Sequence, residues 1–260
     1  MSPPTVPRFA ELQAPANWRT VDFISDLHLQ AAEPATFDAW QRFMRDTPAD
    51  AVFILGDLFE VWVGDDVLGA GGDAGFEARC AGVLRAASAA RPVFFMHGNR
   101  DFLVGQALMA HCGATLLDDP CVLDFGGQRW LLTHGDALCL DDHDYLAFRA
   151  EVRSPGWQQA FLARPLAERQ AVARSLRDAS EQRKRAGTAY ADVDAAAARA
   201  WLQAADARVM VHGHTHRPGA HALGDGLSRV VLSDWDAAAQ PPRLEVLRLT
   251  PGGLQRLPLA

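Results

Sequence analysis

Five short apolar runs constrain this chain more than any other feature, because each is followed within three residues by aspartate, asparagine or histidine. They are Val21 to Ser25, Ala51 to Leu55, Pro92 to Met96, Arg129 to Thr133 and Arg208 to Val211. Each is too short for a helix and dominated by branched or aromatic residues, which predicts buried strands. Helical patterns at about Ala35 to Arg45 and Ala74 to Ala89 separate the early strands, giving the alternation of an α/β sandwich.

The residues that close these strands are Asp26 and His28 in "FISDLHL", Asp57 in "FILGDLFEVWVGDD", Asn99 in "HGNRDF", His134 in "LLTHGD", and His214 and His216 in "VHGHTHRP". Sheets of α/β proteins bind ligands beyond the carboxyl ends of their strands. Taken singly, each cluster has a plainer reading. An Asp-x-His after a strand can be a turn with a helix cap, Asn99 can hold a left-handed turn, and His134 can be a satisfied core histidine. Taken together they supply two carboxylates, an amide oxygen and four imidazoles. That inventory suits a pair of divalent first-row metal ions sharing a carboxylate better than a single ion.

From about Asp141 to Ala205 the pattern changes to Ala, Arg and Gln with apolar residues at helical spacing and no strand signal. This predicts a helical insertion within one domain spanning residues 1–260. Beyond His216, "SRVVLSDW" and "LEVLRLT" read as antiparallel strands closing a second sheet. The first fifteen or so residues, with Pro3, Pro4, Pro7 and Pro15, are expected to be irregular. A net charge of −7 argues against a general nucleic-acid binder. Four cysteines without CxxC spacing point to free thiols in a reducing, cytoplasmic compartment. No apolar leader stands at the N-terminus, and no run approaches the roughly 18 apolar residues of a membrane span.

The order D-x-H, G-D, G-N, H-G-D, G-H-x-H, from Asp26 to His216, resembles that of the calcineurin-like metallophosphoesterases. The resemblance implies two mixed β-sheets flanked by helices. It implies one metal on Asp26, His28 and His216, a second on Asn99, His134 and His214, and Asp57 bridging them. Protein phosphatases of this superfamily carry Asp-Arg-Gly after the Gly-Asp, which is absent here. Many phosphatases and nucleases read Gly-Asn-His where this chain has Asn99-Arg100. With "GDLFEVWVGDD", "GNRDF", "HGDALCLDD" and "HGHTHRP" together, the sequence is similar to the UDP-2,3-diacylglucosamine pyrophosphatases of lipid A biosynthesis. That similarity implies two divalent metals, with Mn2+ as the expected ion, and a helical lid over the lipid nucleotide. It also implies peripheral contact with the cytoplasmic face of the inner membrane, and substrate contacts from Asn99, Arg100, Asp142, Ser180, Lys184 and His214. Asp57, Arg100 and His214 are the expected catalytic residues.

The arginine has an independent chemical rationale. Cleaving a pyrophosphate expels a phosphate monoester whose second pKa is about 6, so the leaving group is stable without a proton. What needs help is negative charge spread over two phosphates, which suits a permanent, forked cation. The plainer alternative for Arg100 is a structural ion pair with Asp101. Between Arg149 and Arg185 there are nine Lys or Arg against four Asp or Glu, a local balance of +5 suited to a diphosphate or an anionic bilayer. Trp157, Phe161, Leu162, Leu166, Val172 and Leu176 of the same stretch are candidates for an acyl-chain cleft, with packing on the sheet as the alternative. A phosphoesterase for another nucleotide or phosphodiester, and a non-catalytic scaffold of the same fold, are the rival readings.

Overall fold

The computed structural model describes residues 5–70, 75–185 and 191–259, with side chains as far as residue 176 in the middle segment. Its first sheet runs β12 (Gly253–Pro258), β11 (Glu245–Thr250), β2 (Val21–Ile24), β3 (Ala51–Leu55), β4 (Val93–Met96) and β5 (Thr115–Leu117). The second runs β1 (Ala10–Gln13), β6 (Cys121–Phe125), β7 (Gln128–Thr133), β8 (Val209–His212), β10 (Leu227–Val231) and β9 (Gly219–Gly224). Both are mixed: β2 to β5 are parallel with β11 antiparallel beside β2, and β7, β8 and β10 are parallel with β9 antiparallel at the edge.

The continuous apolar runs follow from burial on both faces. In β3, Ala51, Phe53 and Leu55 point between the sheets, where they meet Phe23, Phe94, Leu132 and Val211. Val52 and Ile54 point the other way, into a layer formed by α1 (Pro34–Asp46), α2 (Val67–Ala70), α3 (Phe76–Ala90) and α4 (Gln106–Cys112). Burying each such side chain contributes about 1.5–3 kcal/mol. Helix α1 starts on a proline at its first turn and buries Phe37, Trp40 and Met44, which share one face at helical spacing.

Two expectations are corrected. "SRVVLSDW" and "LEVLRLT" are antiparallel to their hairpin neighbours, β10 to β9 and β11 to β12, but they do not close one sheet: β10 lies beside β8 in the second sheet, whereas β11 joins the first sheet against β2. Apolar alternation gives a strand but not its partner, because either sheet can bury the same face. The first fifteen residues are not irregular throughout, since β1 pairs with β6. Pro7 and Pro15 bracket this four-residue edge strand without interrupting its hydrogen bonds.

The described residues of the segment 141–205 carry four helices, α5 (His143–Val152), α6 (Pro155–Leu162), α7 (Leu166–Arg185) and α8 (Ala195–Ala204). They divide by packing. Ala198, Trp201 and Leu202 of α8 cover Val122, Leu131 and Met210 on the outer face of the second sheet, so α8 belongs to the sandwich. Trp157, Phe161, Leu166 and Val172 of α6 and α7 pack onto the helical layer of the first sheet, while Leu162 and Leu176 are exposed.

Candidate metal centre

All seven ligand candidates lie just beyond the carboxyl ends of strands: Asp26 and His28 after β2, Asp57 after β3, Asn99 after β4, His134 after β7, and His214 and His216 after β8. Topology therefore gathers them at one end of the sandwich. Five of them hold left-handed backbone: Asp26 (φ 55°), His28 (49°), Asp57 (52°), His214 (66°) and His216 (50°). Such conformations cost on the order of 1–3 kcal/mol each and concentrate at functional sites. Hydrogen bonds hold them in place. Asp57 O accepts from the N–H of Leu27 (2.9 Å) and of His28 (3.0 Å), and Asp26 N–H donates to Gly56 O (3.1 Å).

Two glycines in the motifs are explained by close approach. A Cβ on Gly98 would stand 2.0 Å from Asp57 Oδ1, and one on Gly213 would stand 2.3 Å from Asp26 Oδ2. Backbone thus sits directly against both carboxylates, and only glycine fits.

Around Asp26, fully buried, the Ser25 hydroxyl donates at 2.5 Å, His214 N–H donates at 3.0 Å, and His216 Nε2 lies 3.4 Å away. His28 Nε2 is 3.5 Å from His216 Nε2. Asp57 Oδ1 accepts the Arg100 N–H at 2.8 Å, and its Oδ2 is 3.8 Å from His134 Nε2. Asn99 Oδ1 meets both His134 Nε2 (3.1 Å) and His214 Nδ1 (2.9 Å). His134 Nδ1 donates to Leu55 O at 2.9 Å, which turns Nε2 toward the cluster as the nitrogen a metal would take.

The electrostatics are those of a cation site. Burial opposes ionisation of Asp26, yet the hydrogen bond and charge of His216 hold its carboxyl well below the usual range. Burial likewise opposes charge on His134, but Asp57, Asp136 and Asp26 push it up to about 9. His214 goes the other way, pushed down to about 4 by burial and then by the neighbouring His134. Ligand atoms of Asp26, His28 and His216 lie within 4.8 Å of one another, as do those of Asp26, Asp57 and His134. Two facing imidazole nitrogens, and an amide oxygen between two more, are arrangements that a divalent ion organises, so these residues fit a metal pair. Asp26 belongs to both groups, whereas Asp57 belongs to the second alone.

Arg100 stands at the rim with its side chain largely buried. Its Nη1 is 3.7 Å from Glu60 Oε1, while Glu60 Oε2 lies 3.1 Å from His28 Nδ1. The expected alternative, an Arg100–Asp101 ion pair, is not formed. Asp101 instead accepts backbone N–H groups from Gly98 (2.8 Å), Asp57 (3.3 Å), Leu58 (2.8 Å) and Phe59 (3.4 Å), tying the loops after β3 and β4 together. Burial and the charge of Asp57 push Asp101 up to about 7. Arg100 Nε is buried with no hydrogen-bond partner among the described residues.

Several participants carry no sequence signal of their own. Asp136 of "HGD" is fully buried and accepts from Tyr145 Oη (2.5 Å) and Arg149 Nε (2.8 Å), and Arg153 donates to Gly98 O (2.8 Å). Tyr145 also stacks on His214, ring centroids 5.9 Å apart. Arg169 of α7 is buried against Val63 O and Asp66. Three arginines of the insertion therefore face inward, and its basic face is smaller than composition suggests. Asp142 caps α5, accepting from Tyr145 N–H at 3.1 Å. The side chains of Ser180 and Lys184 lie outside the described residues.

A model of the calcineurin-like phosphoesterases matches residues 19–218, a span that contains every ligand candidate. The chain belongs to the calcineurin-like phosphoesterase family. Members of this family work with divalent metals, in agreement with the ligand groups described above. This phosphoesterase is 46% identical over 248 residues to a protein of Chromobacterium violaceum, covering 92% of the present chain and 98% of that one. It is 42% identical to one of Stenotrophomonas maltophilia (90% and 96% covered) and 44% identical to one of Bordetella pertussis (89% and 92%). All three relatives are named UDP-2,3-diacylglucosamine hydrolase.

Proposed function

We propose that the protein hydrolyses the pyrophosphate bond of UDP-2,3-diacylglucosamine, releasing UMP and 2,3-diacylglucosamine 1-phosphate. The observation that carries this reading is the similarity, over nearly the whole chain, to relatives that bear this activity in their name. The geometry agrees, because a guanidinium stands beside a two-part ligand cluster where a phosphatase would place a histidine.

We assign Asp26, His28 and His216 to one metal, Asn99, His134 and His214 to the other, and Asp57 to both. Mn2+ is the ion the resemblance favours. When bound, two such ions supply Lewis acidity to a phosphate oxygen and lower the pKa of water. The chain's own part is to hold and orient. Leu55 O fixes the His134 tautomer, Glu60 lies against His28 Nδ1, and the Arg100 N–H fixes the Asp57 carboxylate. Arg100 gives its fork, including the unpartnered Nε, to the diphosphate. His214 meets substrate as well as metal, and Asp142, Ser180 and Lys184 complete the contacts to the sugar or nucleotide.

Helices α5 to α7 form the lid in this reading. A cavity of about 260 Å³ opens beside Glu60, with Leu29, Trp62, Val63 and Phe76 on its apolar wall and Glu77 and Arg174 on its polar one, and we assign an acyl chain to the apolar wall. The decisive experiment is hydrolysis in heavy-oxygen water with Mn2+. Metal-dependent release of UMP is expected, with the label in UMP; label in the lipid phosphate would reject the attack site. Inactivity on this lipid beside turnover of a simple phosphodiester would reject the substrate.

We also propose peripheral membrane contact through the insertion. No described helix is long and apolar enough to cross a membrane. Among the described residues the exposed large apolar side chains are Val6, Phe148, Leu162 and Leu176, three of them on α5 to α7. Vesicles containing anionic lipid are expected to float the protein, and Leu162→Ser with Leu176→Ser to weaken this. Flotation that ignores both changes would refute the insertion as the contact.

A further inference from the structure

His212, the first histidine of "VHGHTHRP", is fully buried and is not among the ligand candidates. Its Nδ1 lies 2.8 Å from Gly213 O, and its Nε2 lies 3.3 Å from Arg229 Nη1. A carbonyl only accepts and a guanidinium only donates, so these neighbours jointly demand one neutral tautomer, with the proton on Nδ1. Arg229, itself buried, passes its other terminal nitrogen to Asp192 Oδ2 at 2.9 Å. Asp192 lies where the helical insertion returns to the sandwich, just ahead of α8.

The other end of this chain of contacts reaches the metal centre. Gly213 N–H donates to His134 O at 3.0 Å, and the next N–H, of His214, donates to Asp26 at 3.0 Å. The peptide whose carbonyl His212 holds is therefore the one that presents the His214 N–H to Asp26. Rotating it would move His214 away from Asn99 and its N–H away from Asp26 together.

We propose that Asp192, Arg229 and His212 form a positioning relay that sets the His214 to His216 loop for metal binding and ties that loop to the return of the helical insertion. The relay rests on the reading of Asp26, His214 and His216 as metal ligands. Its residues touch neither metal nor substrate, and they act by fixing one imidazole tautomer and through it one peptide plane. Arg217, which also donates to Asp192 at 2.9 Å, is half exposed and outside the relay. Exposed ion pairs of that kind contribute little.

The test is Mn2+ affinity of the full chain, read by loss of the free-ion electron paramagnetic resonance signal, with thermal melting of the metal-free protein alongside. Asp192→Asn is expected to weaken Mn2+ binding about tenfold, the scale of losing an outer-shell partner. Asp192→Glu should restore it, Arg217→Ala should leave it unchanged, and the metal-free melting temperature should barely move. His212→Gln should weaken binding at least as much as Asp192→Asn. If it fails to fold, the Asp192 pair carries the test alone. Unchanged affinity in Asp192→Asn, or a loss matched by a lowered metal-free melting temperature, or a loss that glutamate does not restore, overturns the relay. Absence of Mn2+ binding by the unaltered protein would instead overturn the metal assignment.

Discussion

Asp57→Asn is expected to lower kcat by about a thousandfold or more, on the scale of removing a principal electrostatic stabiliser of the transition state. The substitution keeps the shape of the side chain and an oxygen for the Arg100 N–H, which the carboxylate accepts at 2.8 Å. What it removes is the charge that the proposed bridging assignment gives to both metals. Asp57 is almost wholly buried and lies 3.8 Å from His134 Nε2 at the head of the second group. Metal content should fall from two ions to one, and circular dichroism should remain that of the parent. A variant that retains both ions and ordinary turnover would rule out the bridging assignment.

Arg100→Ala carries the second large effect, an expected loss of about 10²–10³ in kcat, or about 3–4 kcal/mol, on a pyrophosphate substrate. The loss should be selective. An activated aryl phosphodiester places less negative charge on its leaving group, so its turnover should fall far less. Arg100→Lys should recover part of the difference, since a point charge remains but the forked donor set does not. Equal losses on both substrates would mean that Arg100 serves the site's architecture rather than the diphosphate. The structure makes that alternative specific: the backbone N–H to Asp57 survives the substitution, so an architectural loss would run through the side chain's contact with Glu60, which also lies against His28.

The seven ligand candidates were legible because they follow five apolar strands within a few residues, and the sheet topology brings those strand ends together. Glu60 and Asp101 were not. Both sit inside quoted motifs, but their roles depend on partners more than 30 residues away, Glu60 on His28 and Arg100, and Asp101 on the turn after β3. Nothing in "GNRDF" says that the aspartate would take four backbone N–H groups in place of the arginine next to it. The inward turn of Arg149, Arg153 and Arg169 was hidden for the same reason, since composition gives charge without direction. Strand pairing at the C-terminal end was hidden too, because β10 and β11 present similar apolar patterns to different sheets.

The left-handed backbone at five of the candidate ligand positions sets folding and chemistry against each other in this molecule. At Asp26, His28, Asp57, His214 and His216 the conformation itself favours glycine, which would relax the chain and leave nothing to hold an ion. Selection for heat resistance in the absence of metal would therefore draw substitutions to these five positions first. Selection for turnover forbids them. Screens for stabilised variants of this protein should be run with metal bound, so that the ligand side chains contribute to the property under selection.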